Sequence, residues 1–186
     1  MKLTLPTIIT LFRIVLIPVF VVVFYWPAHW AYTAAAFIFA LASVTDWIDG
    51  YLARVMNQES AFGAFLDPVA DKLTVVVAIV LLVEANPSPW IAIPSIIIIS
   101  REITVSALRE WMAELGSRAT IKVSFVGKAK TTAQLFSLVL MIYHQPLYGF
   151  SMFEVGMWFY YLAAFLTLYS MAIYLKAAWP VISHHG

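Results

Sequence analysis

Between Ile8 and Trp26 the only charged side chain is Arg13. A run of that length and apolarity matches the ~20 residues a helix needs to cross a bilayer. Five more such segments follow, at about Trp30–Arg54, Asp67–Glu84, Trp90–Glu114, Val126–His144 and Tyr148–Lys176. The residues are 63% hydrophobic and 11% charged, and mean hydropathy is +0.89. A soluble domain of 186 residues has too little interior to hide that much apolar surface. The expected fold is therefore all-α, a polytopic membrane protein with six transmembrane helices. A short amphipathic lead, Met1–Pro6, precedes the first. Pro18 and Pro94 fall inside the first and fourth segments and are expected to kink them. Residues 1–186 read as a single membrane domain, without a soluble domain, an internal repeat or a cleavable signal layout. With no cysteine there is no disulfide framework and no thiol chemistry.

The charges sort by side. The connections at 26–29, 85–89 and 144–146 carry no Lys or Arg. All eleven basic residues lie on or towards the other side. The positive-inside rule makes that side the cytoplasm, and six spans then put both termini there. Tyr25, Trp26, Trp30, Trp90 and Tyr143 gather at the opposite face, where aromatic side chains anchor helices at the headgroup level. The expected location is a bacterial cytoplasmic (inner) membrane.

The four aspartates of the chain fall in one stretch, DWIDGYLARVMNQESAFGAFLDPVAD. Asp46 and Asp49 are one helical turn apart, as are Asp67 and Asp71. The polar segment 57–60 between them reads as the turn of a helical hairpin that gathers four carboxylates. Asp67 before Pro68 also has the pattern of an ordinary helix cap. Four acids at a membrane edge are harder to explain as caps, because such charge needs protons or cations to neutralise it. An all-oxygen donor set suits one or two Mg²⁺ or Mn²⁺ ions, and no histidine or cysteine accompanies it to favour zinc. A pair of such ions clamps a phosphate as a P–O bond breaks. Gly50 and Ala53 leave backbone open to a nucleotide, or serve close helix packing.

A cationic set accompanies the acidic one. Arg101 and Arg109 stand two turns apart near the end of the fourth segment. Lys128 and Lys130 open the fifth, and Thr10 and Arg13 lie on the first. Meeting near the aspartates, they would grip an acceptor that carries its own phosphate. Their alternative role is contact with anionic headgroups of membrane lipids. Glu102 and Glu110 read as partners of the arginines.

The pattern D-x2-D-G-x2-A-R-x8-G-x3-D-x3-D is filled by Asp46, Asp49, Gly50, Ala53, Arg54, Gly63, Asp67 and Asp71. It resembles the signature of the CDP-alcohol phosphotransferase family. The resemblance implies that Asp46, Asp49, Asp67 and Asp71 bind two metal ions and that Asp71 is also the catalytic base. It implies that Asp49, Gly50, Ala53, Arg54 and Gly63 line the CDP site. Three further patterns, P-T-x2-T-x2-R, S-R-E-I-x3-A-L-R-E-W and G-K-x-K-T-T, are similar to a bacterial branch that makes phosphatidylglycerophosphate. That branch joins CDP-diacylglycerol to sn-glycerol 3-phosphate and releases CMP. There, residues matching Arg101, Arg109 and one of Lys128 and Lys130 hold the acceptor phosphate. Homodimers are common in the family, and nucleic acid is not an expected partner. Competing readings are a synthase for inositol phosphate or serine, a divalent-cation transporter, and a silent scaffold.

Overall fold

The computed structural model describes residues 5–56, 61–114 and 125–185. The side chains of 46–56 and of Lys128 are not among those described. Six helices form: α1 (Leu5–Phe24), α2 (Ala31–Met56), α3 (Ala61–Ala85), α4 (Pro89–Glu114), α5 (Phe125–Tyr143) and α6 (Met152–His185). The chain is thus all-α but for one two-residue hairpin, Pro146–Leu147 against Phe150–Ser151. Its turn residues, Tyr148 and Gly149, both take positive φ, at 51° and 83°. That pair of left-handed conformations twists the chain as a two-residue hairpin requires. The sixth helix consequently begins at Met152 rather than near Tyr148.

A second boundary also moves. α3 starts at Ala61, so Pro68 lies inside the helix and does not open it. Asp67 is therefore no N-cap. α1 and α4 run through Pro18 and Pro94 as continuous helices.

Among the described residues, Thr7–Phe24, Pro89–Met112 and Met152–Lys176 are long and apolar enough to cross a membrane; Ala31–Thr45 is a shorter apolar stretch. α2, α3 and α5 carry the aspartates and lysines at one end, which shortens their apolar portions. The six helices close into a ring in the order α1–α2–α5–α6–α4–α3, and α3 also reaches across to α2 and α5. Packing inside the ring uses small residues against aromatic ones. Ala31, Ala35 and Ala42 recur along one face of α2 with Phe39, which meets Phe20 of α1 at 5.9 Å between ring centroids. Small residues let membrane helices approach closely, where dispersion rather than water exclusion holds them. The outside is apolar too, with Phe165 66% and Ile96 62% exposed. Large apolar side chains facing outward along mid-helix are those of a protein solvated by lipid.

The α5–α6 contact is the most extensive in the molecule. Gly156 makes it possible: a Cβ there would lie 3.0 Å from the Ser137 carbonyl oxygen and 2.7 Å from Met141 Cγ. Met141 can turn aside, but the backbone oxygen cannot. Gly156→Ala is expected to destabilise the protein by roughly 1–3 kcal/mol, the usual range for overpacking, read as a lower thermal midpoint in detergent. A midpoint equal to wild type would show that the helices can separate freely at this point.

Polar side chains are confined mainly to two ends and one central bridge. At one end the Tyr25 hydroxyl donates to Glu84 at 3.3 Å, and Gln145 Nε2 donates to the His29 carbonyl at 3.4 Å. Midway, Ser95 donates to the Ile91 carbonyl and shares a 2.8 Å hydrogen bond with the Tyr160 hydroxyl, tying α4 to α6. The other end holds the candidate site.

Candidate active site

Asp67 and Asp71 lie one turn apart on α3, and α1 supplies a donor for each. Thr10 Oγ1 donates to Asp67 Oδ1 at 2.5 Å, and Arg13 Nη1 donates to Asp71 Oδ1 at 2.6 Å. Thr10 and Arg13 are three apart, so both face α3 from one stripe of α1. Arg13 is 1% exposed, whereas the Asp71 side chain is 48% exposed. The arginine is thus a buried anchor, and the carboxylate it holds still opens towards a cavity. An ion pair to a charged donor fixes a carboxylate more firmly than a neutral hydrogen bond does.

That cavity, of about 240 Å³, is lined by Arg13, Asp71 and Lys72 on one side and by Glu102, Lys130, Thr131 and Gln134 on another. Its remaining wall is mostly apolar, from Val75, Val76, Ile98, Ile99 and Leu135 among others. Lys130 is 4% exposed, and its ammonium contacts the Glu102 carboxylate directly. Arg101 reaches the same carboxylate through Nη1 at 3.2 Å and Ser170 on α6 through Nη2 at 3.3 Å. Glu102 and Lys130 therefore face, across one small space, a carboxylate held by α1, with Arg101 behind Glu102.

The residues singled out in the sequence divide three ways. Arg13, Asp71 and Lys130 share the cavity wall, with Arg101 joined to it through Glu102. Thr10 is paired to Asp67 beside it, and Gly63 is buried one turn before Asp67. Arg109 is exposed two turns beyond Arg101 and lines no part of this cavity. Asp46, Asp49, Gly50, Ala53 and Arg54 lie on the last third of α2, but their side chains, like that of Lys128, are outside the described set. The turn at 57–60 is outside the described residues altogether. Among the described residues no three acidic or histidine side chains gather to hold a metal.

Polar wall residues not singled out in the sequence include Gln134 and Thr74. Gln134 is one turn after Lys130, and Thr74 is one turn before the buried Ala78. Their signal was periodicity: a polar residue spaced four from a residue that faces the interior shares its face.

The donor set suits a hard divalent ion as far as it is described. Asp67 and Asp71 offer only oxygen, lie one turn apart, and each accepts from α1 through Oδ1.

The profile of the family described as CDP-alcohol phosphatidyltransferase matches residues 3–169, from the lead into α1 through the first half of α6. A protein of Shigella flexneri serotype 5b, named CDP-diacylglycerol–glycerol-3-phosphate 3-phosphatidyltransferase, is 52% identical over 178 residues, covering 96% of each chain. The protein of that name from Escherichia coli K12 is 51% identical over the same share. Matches of that length take in all six helices and both walls of the cavity, and on them the chain belongs to the CDP-alcohol phosphatidyltransferase family.

Proposed function

We propose that the protein transfers the phosphatidyl group of CDP-diacylglycerol to sn-glycerol 3-phosphate, giving phosphatidylglycerophosphate and CMP. One observation carries this reading: an anchored carboxylate, Asp71, and a buried cation, Lys130, line one small cavity, with Arg101 joined to that wall through Glu102. The relatives named for that reaction supply the identity of the donor and acceptor.

The acceptor's phosphate is held by Arg101 and Lys130, which leaves its free hydroxyl directed across the cavity at Asp71. Arg13 keeps the Asp71 carboxylate aimed. The acceptor oxygen attacks the phosphorus that bears the diacylglycerol, Asp71 takes the hydroxyl proton, and the bond from that phosphorus to CMP breaks, with CMP leaving as the anion. A base whose task is to accept one proton in the transition state needs only position and an ionised form. Asp46, Asp49, Asp67 and Asp71 would hold one or two Mg²⁺ or Mn²⁺ ions, which supply charge neutralisation at the phosphoryl oxygens. Gly50, Ala53, Arg54 and Gly63 are assigned to the CDP moiety, with Asp49 beside them. Arg109, exposed near the membrane edge, and Lys128 are assigned to the approach of anionic substrate and to anionic lipid headgroups.

In the same reading residues 1–186 form one domain in a bacterial cytoplasmic membrane. The site and both termini face the cytoplasm, and two copies pair as a homodimer.

The test is an acceptor panel. Purified protein with labelled CDP-diacylglycerol is offered sn-glycerol 3-phosphate, serine or inositol phosphate, with and without a chelator. CMP release only with sn-glycerol 3-phosphate, stopped by chelation and restored by Mg²⁺ or Mn²⁺, is expected. Release that follows serine or inositol phosphate instead would assign a different acceptor.

A further inference from the structure

Glu102 has no part in the transfer just described, yet it occupies the centre of the cationic wall. We propose that the Glu102 carboxylate competes with the acceptor's phosphate for Lys130 and Arg101, and so sets how tightly a phosphate monoester is held. The inference rests on the transfer reading above for the identity of the acceptor, but not for the competition itself.

Charge is the first argument. Lys130 is 4% exposed, and a buried ammonium without a counter-ion is costly. Glu102 provides that counter-ion, in contact with Lys130 Nζ and 3.2 Å from Arg101 Nη1. A phosphate monoester brings about −1.5 to −2 of its own near pH 7. Two cations match that charge by themselves. With Glu102 still in place Lys130 and Arg101 would divide their charge between two anions, with Arg13 and Lys72 the other cations at the cavity and Arg13 already paired to Asp71. Phosphate and Glu102 therefore cannot both be fully paired with the same two side chains.

Donor geometry is the second argument, and it is independent. Arg101 Nε is buried with no hydrogen-bond acceptor among the described residues, while Nη1 serves Glu102 and Nη2 serves Ser170. A guanidinium normally presents Nε and an Nη as a fork to one planar or tetrahedral oxyanion. The carboxylate of the adjacent residue meets only one tine. Glu102 thus leaves half of the Arg101 fork unused, and an oxyanion that displaced Glu102 would meet a guanidinium with a donor to spare. At about 240 Å³ the cavity is below the usual range for drug-sized ligands, which fits a small phosphorylated alcohol.

The experiment is a titration of the purified full-length protein in nanodiscs with inorganic phosphate, followed by calorimetry and by thermal shift. Glu102→Gln keeps the shape and removes the charge. It is expected to bind phosphate about tenfold more tightly than wild type, and to gain a larger thermal shift from it. Equal or weaker binding would overturn the proposal, because a carboxylate that merely orients Lys130 would loosen the ligand when neutralised. If the glutamine variant does not fold, Glu102→Asp gives the same reading. Its shorter carboxylate should also tighten phosphate binding, by a smaller factor, and no tightening overturns the proposal. Failure of wild type to release CMP with sn-glycerol 3-phosphate would defeat the transfer reading separately, since the phosphate titration does not depend on turnover.

Discussion

Asp71→Asn is expected to remain folded, with a lowered thermal midpoint because buried Arg13 loses a charged partner, and to lose about 10²–10⁴-fold in kcat, the range a positioned general base contributes. Three observations keep the kcat loss a test of chemistry. The Asp71 side chain is 48% exposed, so its replacement leaves little buried volume disturbed. The asparagine oxygen can still accept from Arg13 Nη1, so the α1–α3 contact persists. The cationic wall lies on other helices and keeps its own internal partners. The loss should therefore fall on kcat, with KM for both substrates changing by less than about tenfold, the pattern of an interaction made in the transition state. Single-turnover release of labelled CMP from the variant, beside its thermal midpoint, measures both quantities. A rate within about threefold of wild type would remove Asp71 as the base and leave it as a structural partner of Arg13.

How much of this arrangement the sequence disclosed depends on the kind of signal. Helix number and limits came from apolar runs bounded by prolines and polar breaks, and five of six starts lie within about four residues of the structure. α3 was the exception. Ala61–Leu66 reads as linker beside a polar turn, and Asp67-Pro68 imitates a cap. The helix nevertheless continues through Pro68, its eighth residue, at the cost of one backbone hydrogen bond. The hairpin at Tyr148-Gly149 was hidden because Tyr148 at φ 51° has no local propensity to announce it.

Within the site, the spacing of Asp67 and Asp71 gave the right face of α3. What spacing cannot give is which helix stands opposite. Thr10 and Arg13 read in the sequence as phosphate ligands, and their hydrogen bonds to Asp67 and Asp71 emerge only with α1 packed on α3. Glu102 was assigned to arginine, which it does touch, but its contact with Lys130 joins residues 28 apart in sequence on two different helices. Tertiary pairing of that kind leaves no periodic trace.

Lys130 carries the second large effect. Two lysines open α5: Lys130 lines the cavity, and position 128 comes two residues earlier, about 200° around an ideal helix with 3.6 residues per turn. Lys130→Met keeps the apolar stem and deletes the ammonium. Truncating one member of a buried charged contact typically costs 2–5 kcal/mol, so KM for sn-glycerol 3-phosphate is expected to rise about 10²-fold or more. KM for CDP-diacylglycerol should move by less than about threefold, because uniform loss of one substrate's binding leaves the other's untouched. Some stability is lost as well, yet less than for an orphaned carboxylate, since Arg101 still holds Glu102 at 3.2 Å. Lys128→Met should raise the acceptor KM far less. The two variants assayed side by side against both substrates decide the matter. Equal effects on donor and acceptor from Lys130→Met would mean that this wall supports the fold of the site and not the grip on the acceptor's phosphate.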